Sequence, residues 1–172
     1  MSEIVPSSPD HAPRATKGRE DLAAARLELL TAARHKLAIR LPVLSPDLYS
    51  SEAELNQLRR LATSGRGAEI RILLGDPAAA LRAGHRLIDL VQRLPTAFQI
   101  RTPASEEGDE GTGDNHAWLL NDVYGYLFLP DADRAEGRTA LRDGPGQAPL
   151  QLQFERMWER ATPATQLQPL GL

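Results

Sequence analysis

The spacing of apolar residues switches between helical and strand periods along this chain. From Arg19 onward, Leu22, Ala25, Leu29 and Ala32 recur at helical spacing, with Leu30 and Ala33 widening the stripe and charges on the opposite face. Arg34, His35 and Lys36 close the segment, where cations suit the helix dipole. Leu37–Leu41 reads as a strand that Pro42 ends, because proline cannot donate to a ladder. After a Ser45-Pro46-Asp47 turn, Ser50 or Ser51 caps a second helix. Glu54, three residues after Ser51, completes a capping box, and Leu55, Leu58, Leu61 and Ala62 form the buried stripe. A Gly65-Arg66-Gly67 turn leads into Glu69–Leu74, a run that predicts a strand buried in the middle of a sheet. Asp76-Pro77 opens a further helix, with Asp as cap and Pro in the first turn. Leu81, Gly84, Ile88 and Val91 share its apolar face, and Pro95 stops it.

Ala97–Arg101 is a third strand, followed by a polar, acidic loop from Thr102 to Asn115. His116–Leu120 and Tyr124–Leu129 flank Asn121-Asp122, which predicts a β-hairpin with a tight turn. Residues 130 to about 146 are charged and rich in Gly and Pro, hence loop. Leu150, Phe154, Met157, Trp158 and Ala161 then form the stripe of a last helix that Pro163 terminates. Leu167 and Leu170 either add an edge strand or pack back on the body. Residues 1–18 lack the apolar surface needed to offset ordering entropy and read as a disordered tail, leaving 19–172 as one domain. Strands joined by helical crossovers run parallel. The expected fold is therefore α/β: a three-layer αβα arrangement whose mixed sheet has a parallel βαβαβ core, an antiparallel hairpin and a C-terminal helix.

Composition narrows the chemistry. Hydrophobic content of 41% and charged content of 25% are ordinary for a globular protein. A formal charge of −3 argues against a dedicated nucleic-acid binder, which is usually basic. There is no cysteine, which removes disulfides, thiolate catalysis and cysteine-based zinc sites. No apolar run approaches the roughly 18 residues of a membrane helix, and the first residues lack the pattern of a secretory signal. The cytoplasm is the expected compartment. Walker, Gly-x-Gly-x-x-Gly and Gly-x-Ser-x-Gly motifs are absent, and the acidic loop lacks calcium-loop spacing, so no cofactor and no metal are expected.

Ser45–Asp47, Asp76 and the loop after Arg101 follow the parallel strands, where ligand crevices of open α/β sheets lie. Asp76 is explained locally as a cap. Arg82, His85, Arg86 and Arg93 line a solvated helix face, with His85 in reach of Asp89. His116 starts a strand directly after a loop, where its ring can reach a crevice or serve the edge of the sheet.

The order of elements over residues 20–162 resembles the phospholipase D-like superfamily. Arg66-Gly67-Ala68-Glu69-Ile70-Arg71-Ile72-Leu73 is similar to the middle of a family half, and Phe154, Trp158 and Pro163 to its closing helix. His116-Ala117-Trp118-Leu119-Leu120-Asn121-Asp122 resembles a worn form of the catalytic hairpin, which begins His-x-Lys with four residues between the Lys and an Asp. The resemblance implies that His116 keeps the place of the nucleophile toward phosphorus. Trp118 stands where the phosphate-holding Lys is expected and carries no charge, and Asp122 arrives one residue early. Two such hairpins face each other in the family, from two halves or two subunits.

Three functions compete at this point. The first is a non-catalytic, regulatory or binding half-domain of a bacterial protein, working with a second copy or another protein. The second is a phosphodiesterase using His116 in a dimeric site, with Arg40 or Arg101 replacing the Lys. The third is a nucleic-acid accessory protein gathering Arg59, Arg60, Arg66, Arg82 and Arg86.

Overall fold

The computed structural model describes residues 12–104 and 115–167. Its elements are β1 (Arg14–Lys17), α1 (Arg19–Ala32), β2 (Lys36–Leu41), α2 (Glu52–Ala62), β3 (Glu69–Leu74), α3 (Pro77–Arg82), α4 (Arg86–Arg93), β4 (Phe98–Thr102), β5 (Ala117–Asn121), β6 (Tyr126–Leu129), β7 (Glu136–Ala140), α5 (Gly144–Arg160), β8 (Thr162–Pro163) and a 3₁₀ turn (Thr165–Leu167). The strands form one mixed sheet in the order β1-β7-β6-β5-β2-β3-β4-β8. β2, β3 and β4 are parallel, and β5 joins β2 from the other side, antiparallel. The α/β fold with a parallel core, hairpin and C-terminal helix is the expected one.

Period-2 alternation of side chains sends each strand's residues to two faces. One face presents Leu37, Ile39, Ile70, Ile72, Ile100 and Leu119 to α1, α2 and α4. The other presents Ala38, Leu73, Trp118, Leu120 and Tyr126 to Leu150, Phe154 and Trp158 of α5. β3 is buried between these layers, as its continuous apolar run predicts. The capping box of α2 forms as expected, with Ser51 as the cap and Glu54 as its reciprocal partner.

Four expectations need correction. The tail expected over 1–18 does not include Arg14–Lys17, which pairs antiparallel with Glu136–Thr139. A short edge strand needs only backbone partners, so no apolar alternation marks it. Residues 1–11 lie outside the described residues. Second, the helix expected from Pro77 to Leu94 is broken into α3 and α4 at Gly84, whose φ of +63° no helix accommodates. Leu81, placed on the apolar face by the single-helix reading, is exposed. Third, residues 130–146 are not all loop: β7 lies within them, and α5 starts at Gly144 behind an Asp143 cap. Fourth, His85 is buried rather than solvated, as described below. The acidic stretch 105–114 and Leu170 lie outside the described residues. Leu167 packs back on the body, buried. No helix among the described residues is long and apolar enough to cross a membrane.

Candidate functional site

The hairpin is fixed by side chains that satisfy backbone groups. Asn121 is buried; its Nδ2 donates to the Leu29 carbonyl at 3.1 Å, and its Oδ1 accepts from the N–H of Val123 and Gly125 at 3.1 and 2.8 Å. Gln147 of α5 donates to the carbonyls of Asn121 and Gly125 at 2.8 and 2.9 Å. Asp122 accepts from the backbone N–H groups of Arg34, His35 and Lys36 at 2.8, 2.9 and 3.2 Å. Its carboxylate therefore ties the hairpin turn to the α1–β2 connection. These bonds set the register that aims the rest of the hairpin.

That register aligns one row across the sheet. Arg138 pairs with Phe128, Phe128 with Trp118, Trp118 with Arg40, Arg40 with Leu73, and Leu73 with Arg101. Each arginine of the row lies over an aromatic ring. Arg40 is 5.1 Å from the centroid of Trp118, Arg138 5.1 Å from Phe128, and Arg101 4.4 Å from Trp158. One level down, Arg71 lies 5.1 Å from Phe154 and 5.6 Å from Trp158. Such contacts suit the weakly hydrated guanidinium, which can bury its plane against a ring.

His116 sits one residue before β5, half-buried, with its ring edge-on to Phe128 at 5.2 Å and 80°. Trp118, two residues on and on the same face, is 2% exposed, and its indole N–H is buried with no hydrogen-bond partner among the described residues. The place that the resemblance assigns to a Lys is thus filled by an indole packed beneath Arg40 and tilted against Phe128. Arg40 is buried. Arg101 donates to the Trp158 carbonyl at 2.8 Å. The two arginines share a row and a face but stand two strands apart, roughly 10 Å, and lie over different rings.

The remaining polar positions have local roles. Asp76 accepts from the Ala79 N–H at 3.1 Å as the α3 cap. His85 does not meet Asp89; its Nδ1 accepts from the Leu87 N–H and its Nε2 donates to the Ser45 carbonyl, both at 3.0 Å. Asp89 pairs instead with Arg93. Arg60 donates to the carbonyls of Leu30, Thr31 and Ala33 and so closes the C-terminal end of α1. Arg59, Arg86 and Arg93 line one shallow groove. Among the described residues, no group of three His, Cys, Asp or Glu side chains is placed to hold a metal.

Sequence reasoning missed one polar cluster. Arg26 and Glu54 form a buried ion pair, Nε to Oε1 at 2.8 Å, between α1 and α2. The guanidinium lies 5.6 Å from the ring of Tyr49, a buried residue in the left-handed region at φ 53°. Burial raises the Tyr49 hydroxyl above its ordinary pKa, and Glu54 adds to this while Arg26 opposes it. The signal was present: Arg26 stands inside the apolar stripe, four residues after Leu22 and three before Leu29.

Sheet order, helix placement and hairpin together define a phospholipase D-type α/β fold. Solved structures agree. The phospholipase D family member Nuc from Salmonella typhimurium superposes with a TM-score of 0.59 at 10% identity, over 88% of this chain and 97% of its own. NucT from Helicobacter pylori gives 0.62 at 10% identity, over 88% and 98%. The archaeal chromatin protein TrmBL2, described with a novel mode of DNA binding, gives 0.60 at 15% identity over 92% of this chain. This chain spans 56% of TrmBL2's length. No curated protein matches the sequence. Within that fold, the chain belongs to the family described as Domain of unknown function (DUF7931), whose model matches residues 18–170.

Proposed function

We propose that this chain is a catalytically empty phospholipase D-like half-domain that acts by binding. One observation carries the reading: Trp118, buried and neutral, fills the position from which a Lys would hold a phosphate. Phosphoryl transfer depends on a cation fixed at the developing charge. Arg40 and Arg101, the replacements considered for that role, are drawn onto aromatic rings on separate strands. Asp122 is committed to three backbone N–H groups of the α1–β2 connection. The unit, with β1 part of its sheet, works in the cytoplasm as one domain, with a second copy or another protein as its partner.

The test is turnover of a phosphodiester panel: bis-p-nitrophenyl phosphate, single- and double-stranded DNA, and phosphatidylcholine vesicles. Wild type and His116→Ala are expected at the same background. Trp118→Lys is expected to gain nothing and to lose about 3–5 kcal/mol of stability, because it buries an ammonium beside Arg40 and empties the indole's space. Wild-type turnover that His116→Ala abolishes would overturn the reading in favour of a His116 phosphodiesterase.

A second reading, DNA binding, is favoured by the likeness to TrmBL2. The net charge of −3 opposes it, and Arg60 is engaged in closing α1. Affinity for duplex DNA that falls steeply between 50 and 200 mM salt, as counterion release requires, would support it.

A further inference from the structure

At the carboxyl end of β2, where β5 joins from the opposite side and the connectivity of the sheet reverses, lies a cavity of about 580 Å³. Crevices at such switch points are the usual ligand sites of open α/β sheets, and this volume is within the roughly 300–1,000 Å³ of small-molecule pockets. The cavity lies on the α1 face of the sheet, and Ala117, Trp118 and Leu119 of β5 also line it. Its inner wall is apolar, from Leu22, Leu41, Leu119 and Leu127.

Two polar side chains interrupt that wall. Arg26 is 7% exposed, and Tyr49 is 2% exposed. The Arg26 Nε is spent on Glu54, but its two terminal nitrogens make no hydrogen bond among the described residues, and neither does the Tyr49 hydroxyl. None of these atoms is sealed in protein, so they open on the cavity that both residues line. A ligand's acceptor would take the place of the water that can reach these donors. Tyr49 also holds a left-handed backbone that costs a non-glycine residue of order 1 kcal/mol or more. The turn that enforces it is closed by Leu48 N–H to the Ser45 carbonyl at 3.1 Å and by the Ser50 hydroxyl to the Pro46 carbonyl at 2.6 Å. The strain places the ring against Arg26.

The charges select the class of acceptor. Glu54 already neutralises Arg26, and its other oxygen accepts from Ser51. Around the exposed mouth stand Arg19 and Arg134 against Glu20, Asp47 and Asp133. A carboxylate entering this cavity would add an uncompensated buried charge, whereas a neutral oxygen would not. We propose that the cavity binds a small, mainly apolar molecule through a neutral oxygen acceptor such as an amide or ester carbonyl, which receives the Arg26 terminal N–H groups and the Tyr49 hydroxyl. The site goes beyond the reading of the hairpin, and its occupancy is independent of His116.

Calorimetric titration of the full chain with octanamide and octanoate, a pair differing in charge, tests it. Octanamide is expected to saturate one site and to bind more tightly than octanoate. Tyr49→Phe, which removes only the hydroxyl, is expected to weaken octanamide about fivefold to tenfold. The paired change Arg26→Met with Glu54→Gln removes both buried charges together, keeps a capping-box residue at 54, and is expected to weaken it further. No saturable binding of either probe would overturn the site. Unchanged octanamide affinity in both variants would overturn the assigned donors. Tighter binding of octanoate would overturn the neutral class.

Discussion

Glu155 and Arg71 show how one pair couples layers. Arg71 of β3 reaches Glu155 of α5 with two hydrogen bonds, 2.9 and 2.5 Å, and lies over Phe154 and Trp158. The bidentate geometry and ring stacking need a guanidinium, so Lys would not substitute. The Arg71 guanidinium beside Glu155 holds its carboxyl below the ordinary 4.5, with Gln151 assisting and partial burial opposing. A carboxyl with a depressed folded value stabilises fully above pH 4.5 and loses that contribution as pH falls through the folded value. Glu155→Gln is therefore expected to lower the urea midpoint at pH 7, and the gap to wild type should narrow as pH drops below 4.5. A gap that is constant from pH 7 to pH 3 would show that the pair contributes nothing. The side chain is 43% exposed, so the effect at pH 7 is modest.

At the scale of elements, the junction between α3 and α4 separates what periodicity shows from what it hides. Leu81, Gly84, Ile88 and Val91 fit one helical face, and the pattern alone favours a single helix. The structure turns at Gly84 instead, and His85 becomes the α4 cap, accepting from Leu87 and donating to the loop after β2. A histidine cap has no sequence signature, since Ser, Thr, Asp and Asn are the usual ones. His85→Ala removes both bonds, leaving the Leu87 N–H without a partner and the Ser45 carbonyl with the Leu48 N–H alone. A loss of about 2–3 kcal/mol is expected in urea unfolding, with a smaller loss for His85→Asn, which restores a cap acceptor. Equal losses for both would mean that packing, not capping, is what His85 supplies. Conversely, Ser51 with Glu54, and Asp76 with Pro77, were legible because their chemistry is local. The Trp118 row was half legible: the residues were visible, but their shared row depends on the strand order β7-β6-β5-β2-β3-β4, which no local pattern encodes.

For the whole molecule, the parallel core and α5 could be read from long apolar runs, while the sheet's margins could not. β1 and β8 are short and polar, and their evidence is backbone pairing alone. β1 matters because it covers β7, in which a Cβ at Gly137 would stand 2.5 Å from the Phe128 carbonyl and force the strands apart. The strand is anchored at its end: Gly18 N–H donates to the Ala135 carbonyl at 2.7 Å, and Asp21 receives the Lys17 N–H at 2.9 Å and Arg14 at 3.2 Å. These contacts hold the Asp21 carboxyl below its ordinary value. Without β1, the N–H and C=O groups along one side of β7 would have no ladder, and an open edge is a template for pairing with another chain. A chain lacking residues 1–17 is therefore expected to unfold a few degrees lower and to associate as its concentration rises, which light scattering would record. Full-length protein under the same conditions sets the baseline, and scattering that does not differ from it would show that β7 needs no cover. The same comparison bears on the partner expected for this fold. Association that appears only in the truncated chain runs through β7, at the opposite end of the strand order from β4 and β8. Association already present in the full chain must use another surface.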